Sequence, residues 1–319
     1  MTSGNRTVIC CGNIAYDLIS RDRDREGNLI FSACPGGSVL NTSIQMARLG
    51  IPVSLCSKTG ADPLGSALIE TIREEGIDTR YIAQDRGLKT GLAFATIDPG
   101  GDSSYTFYKP KGPRTSLGRR ATPSRDFIRK AAALHTASHF AYNDHTFDDT
   151  VRLLSLARKY GVFTSFDPNW RPGRVRKISV ARKRINRVIE LVDMLKLSAE
   201  DALGITGART LNTAIKKLPP DSIVTLGGDG VLFLTKAGKV HCPSFPVRVQ
   251  DTIGAGDAFT AGLLYGYIAS GGIRPAESPI RSLELASAVS ALVCRGHGAV
   301  SGLKDRVQLD TFLKNTSEK

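Results

Sequence analysis

The segment Asp251-Thr252-Ile253-Gly254-Ala255-Gly256-Asp257 joins a glycine turn to an apolar run, and it carries the clearest chemical signal in the chain. Glycines let a backbone approach an anion closely, and the N–H groups of a helix start point at it. Such a cradle suits a phosphate and the charge that develops during its transfer. Asp257, in the first helical turn, would be held ionised by the same field. An ionised carboxylate beside a transferring phosphoryl group is placed to take an alcohol's proton. Taken alone, the loop reads equally well as a tight strand-to-helix turn with Asp257 as its cap. Neither the G-x-x-x-x-G-K-[ST] phosphate loop nor a dinucleotide fingerprint occurs.

A second constellation is Gly36-Gly37-Ser38-Val39-Leu40-Asn41. Two glycines open a turn just before a helix, and the Asn41 amide can donate and accept hydrogen bonds at once, which suits vicinal hydroxyls. Asp17, beyond the first strand, can accept from hydroxyls as well. On its own the first reads as a capped glycine turn, the second as a surface residue.

These residues need a scaffold. RTVICCGNIAYDLI begins as a buried strand; Val39, Leu40, Ile44, Ala47 and Leu49 then follow helical spacing, closed by Gly50. A strand over IPVSLCSKTG leads to a helix with Asp62 as N-cap and Gly76 as terminator. Strands in AAALHTASHFA, GVFTSFDPN, DMLKLS and SIVTLGG alternate with helices over 146–160, 174–192 and 199–217. A hairpin, GVLFLTKAGKVHCP, and a strand ending at Asp251-Thr252 precede helices over 255–269 and 281–294. This rhythm predicts an α/β fold: a mainly parallel sheet covered by helices on both faces. Segments 14–34 and 88–110 break it. They are polar and hairpin-like, the latter around Asp98-Pro99-Gly100-Gly101-Asp102. They read together as a small β-sheet lid, leaving 1–13, 35–87 and 111–319 as the core. The competing arrangement extends the edge of the main sheet.

Composition narrows the function. With 319 residues, 41% hydrophobic and 23% charged, the chain suits a globular protein with a large core. No apolar run approaches the roughly 20 residues that span a bilayer. Six cysteines without a C-x-x-C pair read as reduced thiols in a cytoplasm. The charge of +13 and the segment RPGRVRKISVARKRINRVIELV raise nucleic acid as a partner. The apolar residues of that segment fall at helical spacing, however, so its cations form the outer face of an amphipathic helix, and aromatic interleaving is missing. His135, His139 and His145 lack a completing ligand pattern for zinc.

The two glycine constellations together resemble the signatures of the ribokinase, or phosphofructokinase-B-type, carbohydrate kinases: GGSVLNTSIQMARLG over 36–50 and DTIGAGDAFTAGLL over 251–264. The resemblance spans nearly the whole chain and leans toward fructokinase-like members. It implies a three-layer ribokinase-like core with a β lid, and ATP with Mg2+ as phosphoryl donor. Asp257 then corresponds to the catalytic base, in a catalytic loop that includes Gly254 and whose amides at Ala255 and Gly256 form an anion hole. Asp17, Gly36, Gly37 and Asn41 correspond to sugar-binding positions, and Thr225, Gly227 and Gly230 to nucleotide-binding ones. Asp251 and Thr252 match positions that hold a monovalent cation, often K+. The metal-associated N-x-x-E motif stands here as Ser198-Ala199-Glu200-Asp201, with Asp201 one methylene shorter than the usual glutamate.

Two segments bear on the sugar. DSSYTFYKP places Lys109 where the family usually has arginine, and SFDPNWRP places Arg171 toward phosphates or substrate. Lysine lacks the planar fork that grips a carboxylate. Fructose or a similar ketose is therefore expected, with 2-keto-3-deoxygluconate as alternative. A non-catalytic sugar- or nucleotide-binding regulator is the reading from another class. Apolar outer positions on the lid make a homodimer plausible.

Overall fold

The computed structural model describes residues 6–97, 103–108, 116–236 and 238–317. Lys109 and the expected turn at 98–102 lie outside the described residues.

In chain order the elements are β1 (Val8–Cys11), β2 (Ala15–Arg23), β3 (Leu29–Gly36), α1 (Ser38–Arg48), β4 (Val53–Gly60), α2 (Pro63–Glu74), β5 (Ile82–Asp85), β6 (Gly91–Ile97) and β7 (Ser103–Tyr108). Next come α3 (Arg125–Lys130), β8 (Ala133–Ala137), α4 (Phe147–Lys159), β9 (Phe163–Asp167), α5 (Ile178–Ile189), β10 (Met194–Ser198), α6 (Ala199–Thr206) and α7 (Leu211–Ile215). The chain closes with β11 (Ser222–Thr225), β12 (Val231–Thr235), β13 (Gly238–Cys242), α8 (Ala255–Ala269), α9 (Pro279–Cys294) and α10 (Arg306–Ser317).

Nine strands form one sheet in the order β13-β12-β11-β10-β9-β8-β1-β4-β5. All its neighbours are parallel except β11 with β12 and β12 with β13. The strand alternation explains the layers. Val8 and Cys10 of β1 pack with Leu40, Leu68, Phe259 and Leu283, from α1, α2, α8 and α9. Ile9 and Cys11 pack on the other face with Ile128, Leu154, Ile185 and Ala202, from α3, α4, α5 and α6. A side chain such as Leu154, with no exposed surface, holds its helix to the sheet, and truncating it to alanine costs about 2–5 kcal/mol. The basic helix has the expected amphipathic form: Ala181, Ile185 and Val188 face inward. It starts at Ile178, because the chain from Pro172 to Arg174 takes a short 3-10 turn instead.

The two segments that broke the rhythm form their own sheet, in the order β3-β2-β6-β7, so the edge-extension alternative does not hold. β2 runs antiparallel to β3 but parallel to β6. Strand β3 reaches Gly36, two residues past the expected boundary at 34. A second expectation fails between β13 and α8, where no strand leads into Asp251. That stretch is pinned by other means: Gln250 donates its N–H to the Cys294 carbonyl at 2.8 Å, and Asp251 accepts from two backbone amides.

The chain winds from β1 out to β4 and β5, then returns to β8 on the other side of β1. Such a reversal leaves a crevice at the carboxyl ends of the strands, where open α/β sheets place their ligands.

Candidate active site

A cavity of about 780 Å³ occupies that crevice. Ser138 just past β8, Asp167 ending β9, Ser198 ending β10 and Thr225 ending β11 all line it, so consecutive parallel strands deliver their last residues to one space. Ser138 and Asn169, both on its wall, adopt positive φ angles of 62° and 39°. Non-glycine residues held this way cluster at functional sites.

Asp257 stands in the first turn of α8, 6% exposed. Ser38 Oγ donates to its Oδ1 at 2.6 Å and Asn41 Nδ2 donates to its Oδ2 at 2.8 Å. The Thr42 hydroxyl donates to its backbone carbonyl at 3.1 Å. The first turn of α1 thereby clamps the first turn of α8. Asn41 Oδ1 is buried and has no hydrogen-bond partner among the described residues. An orphaned acceptor next to a carboxylate fits a hydroxyl donor from a ligand.

Burial, and then the negative charge of Asp167, push the Asp257 carboxyl up to about 6, against the Ser38 and Asn41 hydrogen bonds and the Lys196 charge. The helix-start field does not hold it low, as expected from sequence, because desolvation dominates in so enclosed a place. Asp17, on β2 and 7% exposed, is pushed up to about 7 by burial and by Asp257. Gly36 makes room for it: a side-chain carbon there would sit 2.4 Å from the Asp17 carboxyl carbon.

Gly254 has φ +78°, and an added Cβ would lie 2.6 Å from the Ala299 backbone, so only glycine fits. The loop amides differ in their partners. The Ala255 N–H closes a turn onto the Thr252 carbonyl at 3.2 Å. The Gly256 and Asp257 N–H groups have no backbone acceptor among the described residues, which leaves them open to a ligand.

Most of the remaining residues converge. Gly37, Asn41, Arg171, Asp201, Thr252 and Gly227 line the same cavity. Two side chambers open from it. One, of about 250 Å³, lies under the small sheet and is lined by Asp17, Asn13, Lys89, Gly91, Asn143 and Arg174. The other, of about 230 Å³, shares Thr225, Gly227 and Gly256 with the main cavity and is walled by Phe245, Val247 and Ala291, with Gly230 on its rim. An apolar slot flanked by glycine backbone suits a flat heteroaromatic group.

Ser198 and Asp201 are first of all a capping box: Ser198 Oγ accepts from the Asp201 N–H at 3.0 Å and Asp201 Oδ2 accepts from the Ser198 N–H at 3.1 Å. Asp201 Oδ1 accepts from the Trp170 N–H at 2.8 Å. Asp251 likewise accepts from Ile253 and Gly298 N–H, each at 2.8 Å. Among the described residues no cluster of three His, Cys, Asp or Glu side chains could cage a metal. This donor set fits a magnesium ion that arrives on phosphates and keeps its waters, rather than one caged by protein.

Sequence reading missed the pair at the centre. Lys196 on β10 and Asp167 on β9 form an ion pair at 2.9 Å, with side chains 4% and 3% exposed. A lone lysine inside the apolar run Met194–Leu197 was the available signal.

A parallel sheet whose strand ends ring a polar cavity, with a buried carboxylate at a helix start, defines an α/β enzyme that handles phosphate. The chain belongs to the pfkB family carbohydrate kinases, whose profile matches residues 5–306. A fructokinase of Klebsiella pneumoniae is 30% identical over 311 residues, covering 95% of this chain and 99% of that one. A fructokinase with bound ATP from Xylella fastidiosa has a similar structure, with TM-score 0.84 at 27% identity over 98% of this chain and 99% of that chain. Aminoimidazole riboside kinase from Salmonella enterica, complexed with aminoimidazole riboside and an ATP analog, gives 0.82 at 25% identity over 96% and 99%.

Proposed function

We propose that the protein transfers the terminal phosphoryl group of Mg-ATP to a primary hydroxyl of a small ketose, fructose first among them. One observation carries this reading. Asp257 lines the main cavity, which shares Asp17, Gly37 and Ser38 with the chamber under the small sheet and Thr225, Gly227 and Gly256 with the glycine-walled slot, and the orphaned Asn41 Oδ1 lies beside it. The sugar would lie between Asp17, Asn41 and the Gly36-Gly37 turn, its reacting hydroxyl against the Asp257 carboxylate. Asp257 takes the proton as the oxygen attacks, and the Gly256 and Asp257 amides receive the charge on the transferring group.

Adenine would occupy the Phe245 slot, with Thr225, Gly227 and Gly230 along the nucleotide and Arg171 toward its phosphates. Magnesium, when bound, supplies positive charge on those phosphates. Asp201 would reach it only through water, its two oxygens being engaged by backbone amides. A monovalent cation beside Asp251 and Thr252 would stiffen the loop that carries Gly254. The small sheet acts as a lid, and a sugar-binding role is assigned to Lys109. Leu29 and Ile30 on β3 are 53% and 48% exposed, so a second copy pairing through the lid would cover them. We place the enzyme in the cytoplasm, in keeping with buried free thiols at Cys10, Cys11 and Cys56.

A second reading has one observation in its favour. Lys89 and Arg174 line the lid chamber near Asp17, which suits an acidic sugar such as 2-keto-3-deoxygluconate. ADP release across a panel of ketoses, aldoses, sugar acids and aminoimidazole riboside separates the readings. Turnover with fructose well above the acids supports the first, and the reverse order the second. Silence across the panel would make the protein a non-catalytic binder.

A further inference from the structure

Strand register sets a lysine against an aspartate beneath the reactive loop. Strands β9 and β10 pair with Met194 opposite Ser165 and Leu195 opposite Phe166, so Lys196 falls beside Asp167. Leu195 and Leu197 point into the layer of α4 to α6, whereas Met194 packs on the opposite side. Alternation therefore turns Lys196 toward α8. A buried ammonium is costly unless paired and hydrogen-bonded, and here Asp167 Oδ2 lies 2.9 Å from Nζ.

The pair also touches the helix start. A side-chain carbon at Gly256 would lie 2.9 Å from Lys196 Nζ, so the absence of one leaves room for the ammonium under the loop. Thr260, one turn after Gly256, donates to Asp167 Oδ2 at 3.4 Å and to the Gly256 carbonyl at 3.2 Å. Ion pair, hydroxyl and glycine thus fasten β9 and β10 to the turn that bears Asp257.

We propose that Lys196 and Asp167 are positioning residues which together set the protonation of Asp257: the lysine favours its charged form, and Asp167 both opposes that and holds the lysine in place. The inference rests on Asp257 being the base. The other charged or titratable groups around this point are Asp17 from β2, Glu200 and Asp201 from α6, Asp229 from the turn after β11, Arg171 and Arg174 from the loop after β9, and His135 on β8, which burial pushes down to about 4. Burial alone would pull the Lys196 ammonium down. The charge and hydrogen bond of Asp167, with the charges of Asp201 and Asp257, hold it above its ordinary value instead. One buried cation serves several buried acids.

The test reads Asp257 directly, without turnover. Protein carrying 13C-carboxyl aspartate is titrated by NMR, with the Asp257 resonance identified by its loss in Asp257→Asn. Lys196→Met raises the midpoint, because the opposite charge that favours the ionised carboxylate is removed. Asp167→Asn lowers it, and Lys196→Arg restores it toward wild type. A purely structural pair would leave the midpoint unchanged in folded variants, or move it the same way in both, and either result overturns the proposal. Should Lys196→Met fail to fold, Asp167→Asn decides alone by the direction of its shift. Wild-type ADP release tests the kinase reading separately, so failure of one is not mistaken for failure of the other.

Discussion

Asn41 Nδ2 lies 2.8 Å from Asp257 Oδ2, joining two residues 216 positions apart. The glycine turn before α1 and the glycine turn before α8 are therefore halves of one site. Each made an ordinary cap when read alone; their side chains meet across the edge of the crevice.

Asn41→Ala removes a hydrogen bond to an ionised carboxylate together with the orphaned acceptor beside it. A neutral bond from a sugar hydroxyl to that acceptor contributes about 0.5–1.5 kcal/mol, or roughly 2–10-fold in apparent sugar affinity. The lost donor also destabilises the charged form of Asp257, so the acid limb of the rate profile moves to higher pH. Steady-state kinetics across pH 5–8 would show both changes, and an unmoved limb would separate Asn41 from the base.

Asp17 ties function to stability. Its carboxyl is raised from 3.8 to about 7 in the folded chain, so between those values the folded state holds a proton that the unfolded state has lost. Stability from this group is full below the unfolded value and is lost as pH rises toward 7. Asp257, raised to about 6, acts in the same direction. Asp17→Asn should therefore be more stable than wild type at pH 8, on the order of 1–3 kcal/mol, with the gap closing near pH 4. Urea titrations at the two pH values measure it; an equal gap at both would contradict the linkage.

Asp201→Ala tests cap against ligand. Losing the carboxylate strips acceptors from the Ser198 and Trp170 amides, and about 1–3 kcal/mol of stability should go with them. The magnesium requirement of the residual activity should change little. Unaltered stability with a steeply raised magnesium requirement would make Asp201 a direct metal ligand.

Much of this was legible beforehand because it depends on local signals. Glycine turns before apolar helices located Gly37 and Gly254, and alternating runs located β8 to β11. Other features depend on distance or register. Lys196 reads as an oddity in a strand until the pairing of β9 with β10 sets Asp167 beside it. The strand expected before Asp251 is absent because side-chain and end-of-helix hydrogen bonds, which leave no periodicity in sequence, hold that stretch. The Ala255 amide could not be assigned from composition either, since its partner is set by how tightly the Thr252 turn closes.

The central claim is that Asp257 removes the proton of the accepting hydroxyl. The most direct measurement compares turnover and binding in Asp257→Asn, by coupled ADP release and by calorimetry with sugar and nucleotide. Turnover should fall by about 10²–10⁴ while both ligands still bind. Turnover close to wild type would contradict the account.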